Sequence, residues 1–216
     1  MVVLGVVVAD EVGDTLLELN FILSVTTSIF LVDKDSKWRA AIDTVQWFVS
    51  TRIKGLETQM DLAKEIRRLK DIESIRTAIA KYGVAADAFS PPDMMRPLFA
   101  RSAGWHCEAL GAHYEGLEEV TKGLAKLRER DVLWTMHYNV APLIELSEDG
   151  TSGSASWYLW ELARTSVSGS SERQNTWIAG SYQADVTLED GAWRFGRMEL
   201  NLRLVAPAGG PAWPVD

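Results

Sequence analysis

The sequence predicts an α+β fold in which a curved antiparallel sheet wraps around helices that come before it. Two observations carry this. The stretch DLAKEIRRLKDIESIRTAIAKYG sets Leu62, Ile66, Leu69, Ile72, Ile75 and Ile79 at three- and four-residue steps, one apolar face of a 3.6-residue period. Four strand-like runs then follow in series, at about 131–146, 152–165, 176–188 and 192–205. Helices gathered ahead of a strand meander give an α+β arrangement, not βαβ alternation. Such a sheet, bent around the helices, makes a cone whose open end is a pocket.

Each element has its own signal. Residues 1–59 are rich in Val, Leu and Ile with weak periodicity, and they lack caps or turns until Asp33-Lys34-Asp35-Ser36. The independent domain is therefore expected to start near Met60, with residues 1–59 an appendage. SPPDMMRPLFA (90–100) reads as a turn and a short helix, because Pro91 and Pro92 stop the preceding one. GWHCEALGAHYEG (104–116) reads as a hairpin, and LEEVTKGLAKLRER (117–130) as a second amphipathic helix. SEDG (147–150) and EDG (189–191) supply turns between strands. SVSGSSERQN (166–175) is a longer polar loop, and the domain ends near residue 206, before a Pro/Gly tail at 207–216.

Bulk numbers exclude several function classes. The chain has 216 residues, is 47% hydrophobic and 24% charged, and carries a net charge of −8. Nucleic-acid and anionic-membrane binding need a basic footprint, which is missing. The apolar stretch 19–32 is 14 residues long, against the ~20 that span a bilayer. Acidic residues precede it where a signal peptide is basic, so neither anchor nor signal is expected. One cysteine, Cys107, allows no intrachain disulfide, which points to a reducing cytoplasm. Of the three histidines, His106 and His113 stand seven apart without metal-motif spacing, so no metal is expected. No G-x-G-x-x-G, Walker or G-x-S-x-G pattern occurs, and no cofactor is expected.

The pair Asp87 and His137 carries the chemistry. Asp87 ends a helical run among Val84, Ala85, Ala86, Ala88 and Phe89, where a carboxylate is partly desolvated. In DVLWTMHYNV, His137 shares a strand face with Leu133, Thr135 and Asn139, while Val132, Trp134, Met136, Tyr138 and Val140 take the other. A carboxylate beside an imidazole orients the ring and holds its charge, giving a base that works near neutral pH. Tyr82 lies five residues before Asp87, about 140° around a helix. It reaches the same pocket only if the helix end bends at Gly83, and there it would donate to a developing oxyanion. Of the nine tryptophans, Trp157 and Trp160 alternate, so one at most faces the pocket. The apolar strip Trp134, Met136, Tyr138 on the outside of the sheet suits a subunit contact.

These segments resemble the SnoaL-like branch of the NTF2-like (cystatin-type cone) superfamily over about residues 60–206. The carrying segments are the helix with Tyr82 and Asp87, HYEG (113–116) before a helix, WTMHYN (134–139), and GSYQADVTLEDGAWRFGRMEL (180–200). The branch includes polyketide cyclases, scytalone dehydratase, bile-acid dehydratase, a dehydrochlorinase and steroid isomerase relatives. The resemblance implies an Asp–His dyad, with Asp87 and His137 in its places and Tyr82 matching a tyrosine of bile-acid dehydratase-like members. It implies a cofactor-independent lyase, of dehydratase type, or an isomerase, acting on a small apolar cyclic substrate. Asn139, Thr135 and Trp157 would contact the substrate, and the chain would form a dimer or trimer through the outer sheet face. The alternatives are a non-catalytic ligand-binding or assembly module on the same fold, and a relative of dioxygenase small subunits.

Overall fold

A computed structural model describes residues 36–166 and 172–208. The apolar stretch 19–32, the middle of the polar loop and the end of the C-terminal tail lie outside the described residues. The chain divides into two compact units, Met1–Glu65 and Ile66–Asp216.

Among the described residues the first helix, α1, spans Ser36–Asp87. Sequence periodicity placed its start after Met60. The earlier start has a plain cause: residues 36–60 contain no proline and one glycine, Gly55, and β-branched residues cost a helix only tenths of a kcal/mol each, about 0.7 at most. Of the expected apolar stripe, Ile75 and Ile79 are buried, whereas Leu62, Ile66 and Leu69 are exposed. Among the described residues no helix is long and apolar enough to cross a membrane.

After α1 come α2 (Pro92–Met95), a 3-10 turn (Arg96–Leu98) and β1 (Phe99–Cys107). A second 3-10 turn (Glu108–Leu110) leads to β2 (Ala112–Glu115) and α3 (Leu117–Asp131). The meander is β3 (Val132–Leu146), β4 (Ser152–Ser166), β5 (Arg173–Glu189) and β6 (Ala192–Pro207). The six strands form one curved, unclosed sheet in the order β2-β1-β6-β5-β4-β3. All neighbours are antiparallel except β1 and β6, which run parallel.

Aromatic rings fill the space between sheet and helix. Tyr82 of α1 meets Phe99, Tyr182 and Phe195 edge-on at 5.6–6.1 Å, and Trp157 stacks on Tyr182 at 5.1 Å. Buried polar tips find partners, as they must: Trp105 Nε1 donates to Tyr82 Oη at 3.0 Å and Trp193 Nε1 to Asp71 at 2.9 Å. Gly123 of α3 lies against the Tyr114 ring so closely that a Cβ would stand 2.5 Å from it, which fixes glycine there.

One irregularity positions the site. In the lower part of β3, Ile144 and Leu146 pack on the core while Leu143 and Glu145 are exposed. In the upper part the parity is reversed: Thr135 is buried and Trp134, Met136 and Tyr138 are exposed. The register against β4 shifts between Val140 and Leu143, and Ala141 there adopts φ 52°. This is a β-bulge; Pro142, which has no N–H for the ladder, marks the place.

Candidate active site

Asp87 is the last residue of α1. The helix closes with Ser90 N–H donating to Ala85 O (2.8 Å) and Phe89 N–H to Ala86 O (3.1 Å), the double bond of a Schellman end. Phe89 takes the left-handed position at φ 67° and Ser90 follows at φ 53°. A bulky residue there costs about 1–2 kcal/mol. Such strain persists where the surroundings enforce it, and it collects at functional sites.

A carboxylate at a helix C-terminus meets the negative end of the dipole, so Asp87 needs donors, and β3 supplies them. Its Oδ1 accepts from Thr135 Oγ1 at 2.9 Å, and its two oxygens accept from the His137 amide at 3.1 and 3.2 Å. His137 Nδ1 lies 2.7 Å from Oδ1. These contacts fix both the carboxylate and the ring. With Nδ1–H donated to Asp87, the working nitrogen of the neutral imidazole is Nε2.

Nε2 faces a residue that sequence reasoning passed over. Glu161 Oε2 lies 3.3 Å away, and the side chains of His137 and Glu161 are only 4% and 7% exposed. Glu161 stands directly opposite His137 in the β3–β4 ladder. It shares the inner face of β4 with Trp157, Leu159 and Ala163, all buried. The signal was present: an acid on the apolar side of an alternating strand. The result is a chain of three groups, Asp87–His137–Glu161, with Asp87 at the rim, its side chain 30% exposed.

The other expected site residues stand around this chain in different ways. Thr135 holds Asp87. Asn139 accepts from Trp157 Nε1 at 3.1 Å and donates to Ile79 O at 3.3 Å, tying β3 and β4 to α1. Trp157 is buried in the aromatic cluster. Tyr82 is buried there too, its hydroxyl taken up by Trp105. The bend needed to bring Tyr82 to Asp87 is not made, because α1 stays helical through Gly83. Gly83 instead permits close approach of β3: a Cβ there would stand 2.8 Å from Asn139 Nδ2 and 3.6 Å from His137 Cβ. Cys107 is buried, and that burial pushes its thiol pKa up, so it is no nucleophile. A surface cavity of about 350 Å³, lined by Leu143, Ser156, Gln183 and Arg197 among others, does not include the three groups.

Comparison with known proteins agrees with this architecture. No curated protein sequence matches the chain. Among solved structures, a hexachlorocyclohexane dehydrochlorinase of Novosphingobium barchaimii is 17% identical over 70% of this chain and 99% of its own, with TM-score 0.59. A protein of Novosphingobium aromaticivorans named for scytalone dehydratase is 21% identical over 67% and 92%, with TM-score 0.56. An NTF2-like superfamily protein of Salmonella enterica is 15% identical over 67% and 96%, with TM-score 0.53. At these identities the likeness is one of fold, and the fold is the NTF2-like α+β cone. The SnoaL-like domain family model matches residues 67–199, more than half of the chain, and the chain therefore belongs to the SnoaL-like domain family.

Proposed function

We propose that the chain is a cofactor-independent lyase that eliminates water from a small, largely apolar cyclic substrate. The observation that carries this is the placement of His137 Nε2 3.3 Å from Glu161 Oε2 while Nδ1 is held by Asp87. One proton shared between Nε2 and Oε2 makes a base and an acid side by side. His137 Nε2 takes a proton from the carbon next to a carbonyl. The electron pair of that C–H bond forms the new double bond, and the C–O bond at the neighbouring carbon breaks. The leaving hydroxyl takes the Glu161 proton and departs as water. Asp87 stabilises the imidazolium in between, and transfer of its Nε2 proton to Glu161 restores the pair. The exposed Val84, Phe89 and Leu133, close to Asp87 and Thr135 along α1 and β3, suit an apolar ring. The likeness to a dehydrochlorinase and to a protein named for scytalone dehydratase supports elimination.

The test is a panel of cyclic alcohols bearing the hydroxyl β to a carbonyl, followed by the absorbance of the conjugated product. Glu161→Gln keeps the shape but cannot exchange the proton. It is expected to lower turnover by about 10²–10⁴-fold, the usual worth of a positioned acid. Isomerisation, which needs no departing hydroxyl, would show as a shifted double bond without water loss. A second reading, a binding or assembly module, is favoured by one fact: both ring nitrogens of His137 already face carboxylates. On that reading nothing in the panel turns over.

Two further proposals accompany this one. The domain begins near Met60, with residues 1–59 an appendage, and the exposed strip Trp134, Met136, Tyr138 joins copies into a dimer or trimer in the cytoplasm. The match from residue 67 and the unit from Ile66 support the boundary. A chain begun at Met60 is expected to fold and to sediment as that oligomer. Failure to fold overturns the boundary, and a monomer overturns the contact.

A further inference from the structure

The outer face of the sheet carries a cluster that the elimination does not use. In the β1–β2 hairpin His106 pairs with His113, and Gly104 with Glu115. Trp105 and Cys107 point into the core, so His106 between them takes the opposite face. Seven residues of chain thus become one cross-strand contact. The two imidazole rings stack with centroids 3.9 Å apart and planes 17° apart. Glu115 Oε1 lies 2.7 Å from His106 Nε2 and 3.4 Å from His113 Nε2. Both Nε2 atoms converge on one carboxylate oxygen, and the three ligand atoms lie within 4.8 Å of one another. A cavity of about 370 Å³ opens beside them, with Glu108, Glu199 and Arg197 in its wall.

Two imidazoles and a carboxylate are the donor set of zinc and related ions, with bonds of about 2.0–2.2 Å. Tetrahedral ligand atoms on such bonds stand roughly 3.4 Å apart, the spacing already present between His113 and Glu115. A metal bonds an imidazole nitrogen near the plane of its ring, so binding asks the 69% exposed His113 ring to turn out of the stack until its Nε2 points at the ion. It also asks Glu115, whose side chain is 55% exposed, to rotate and open its spacing to His106. Glu108 and Glu199 add negative charge for a dication. We propose that His106, His113 and Glu115 bind a divalent transition-metal ion of the zinc class on the outer face of the sheet, with water completing the coordination.

Arg197 competes with that ion. Its Nη2 lies 2.8 Å from His106 Nδ1. A guanidinium only donates, so Nδ1 accepts and the proton of the neutral ring sits on Nε2, toward Glu115. A metal bound at Nε2 requires that proton on Nδ1, where a second donor cannot remain. The ring keeps one proton throughout, and the exposed Arg197 side chain swings away from it.

The test is a titration of the tag-free full chain with Zn²⁺, read by calorimetry, and with Co²⁺, read by visible absorption. One saturable site per chain is expected. His113→Ala and Glu115→Gln should each weaken binding by more than the roughly 10- to 100-fold that losing an outer partner costs. The His113 side chain is 69% exposed and that of Glu115 is half-exposed, so both variants should fold. Arg197→Ala should bind more tightly than the unaltered chain. Absence of a one-to-one site, or unchanged affinity in both ligand variants, overturns the proposal, and weaker binding by Arg197→Ala overturns the competition.

Discussion

His137→Ala is expected to lower turnover of a genuine substrate by about 10²–10⁴-fold, the range for loss of a general base, in a chain that remains folded. The imidazole is the group that joins the two carboxylates: Asp87 on Nδ1 and Glu161 on Nε2. Without it Asp87 keeps Thr135 and the backbone amide, but Glu161 loses its neighbour across the ladder. Breaking a buried pair from one side costs about 3–5 kcal/mol, so stability falls as well. His137→Gln separates the two effects, because an amide can still hydrogen-bond to both acids while taking no proton from carbon. Both variants should be assayed below their unfolding transitions. Full turnover by either, in a chain shown to be folded, sinks the mechanism.

Phe195→Ala is expected to destabilise the fold by about 3–5 kcal/mol, as for other fully buried aromatics cut to alanine. Phe195 has no exposed surface and meets the rings of Tyr82, Phe99 and Trp157 at 5.8–6.1 Å. These rings belong to α1, β1 and β4, so the void left behind touches three elements at once. The effect should reach the site, because Trp157 holds Asn139 and Asn139 holds the Ile79 carbonyl. Chemical denaturation measures it as a fall in the midpoint, and an unchanged midpoint refutes the packing.

The elements were legible because their signals are local. Pro91 and Pro92 stop a helix, SEDG makes a turn, and alternation in DVLWTMHYNV separates two faces. The meeting of Asp87 and His137 could be argued because one ends a helix and the other lies on the polar side of a strand. The inward placement of Glu161 is legible in the alternation of β4, but its meeting with His137 is not. Counting outward from the turn, the pairs Leu146–Gly153 and Ile144–Ala155 put Leu162 opposite His137. The bulge at Ala141 and Pro142 changes that partner to Glu161, and no composition or periodicity reports it. The length of α1 was misjudged for a related reason: an unbroken helix needs only the absence of stops. Tyr82 was misplaced because Gly83 was read as a hinge, whereas its missing side chain serves close packing against β3.

The bulge in β3 also has a genetic consequence. A deletion of the single codon for Ala141 would remove the extra residue and bring Ile144 and Leu146 one position closer to His137, so that one unbroken alternation would serve both halves of the strand. His137 would still face inward opposite Glu161, and Trp134, Met136 and Tyr138 would stay outside. The damaging change is the opposite one: a strand of the present length that lost the bulge would carry the parity of Ile144 and Leu146 upward and turn His137 out, with every side chain of the site still encoded.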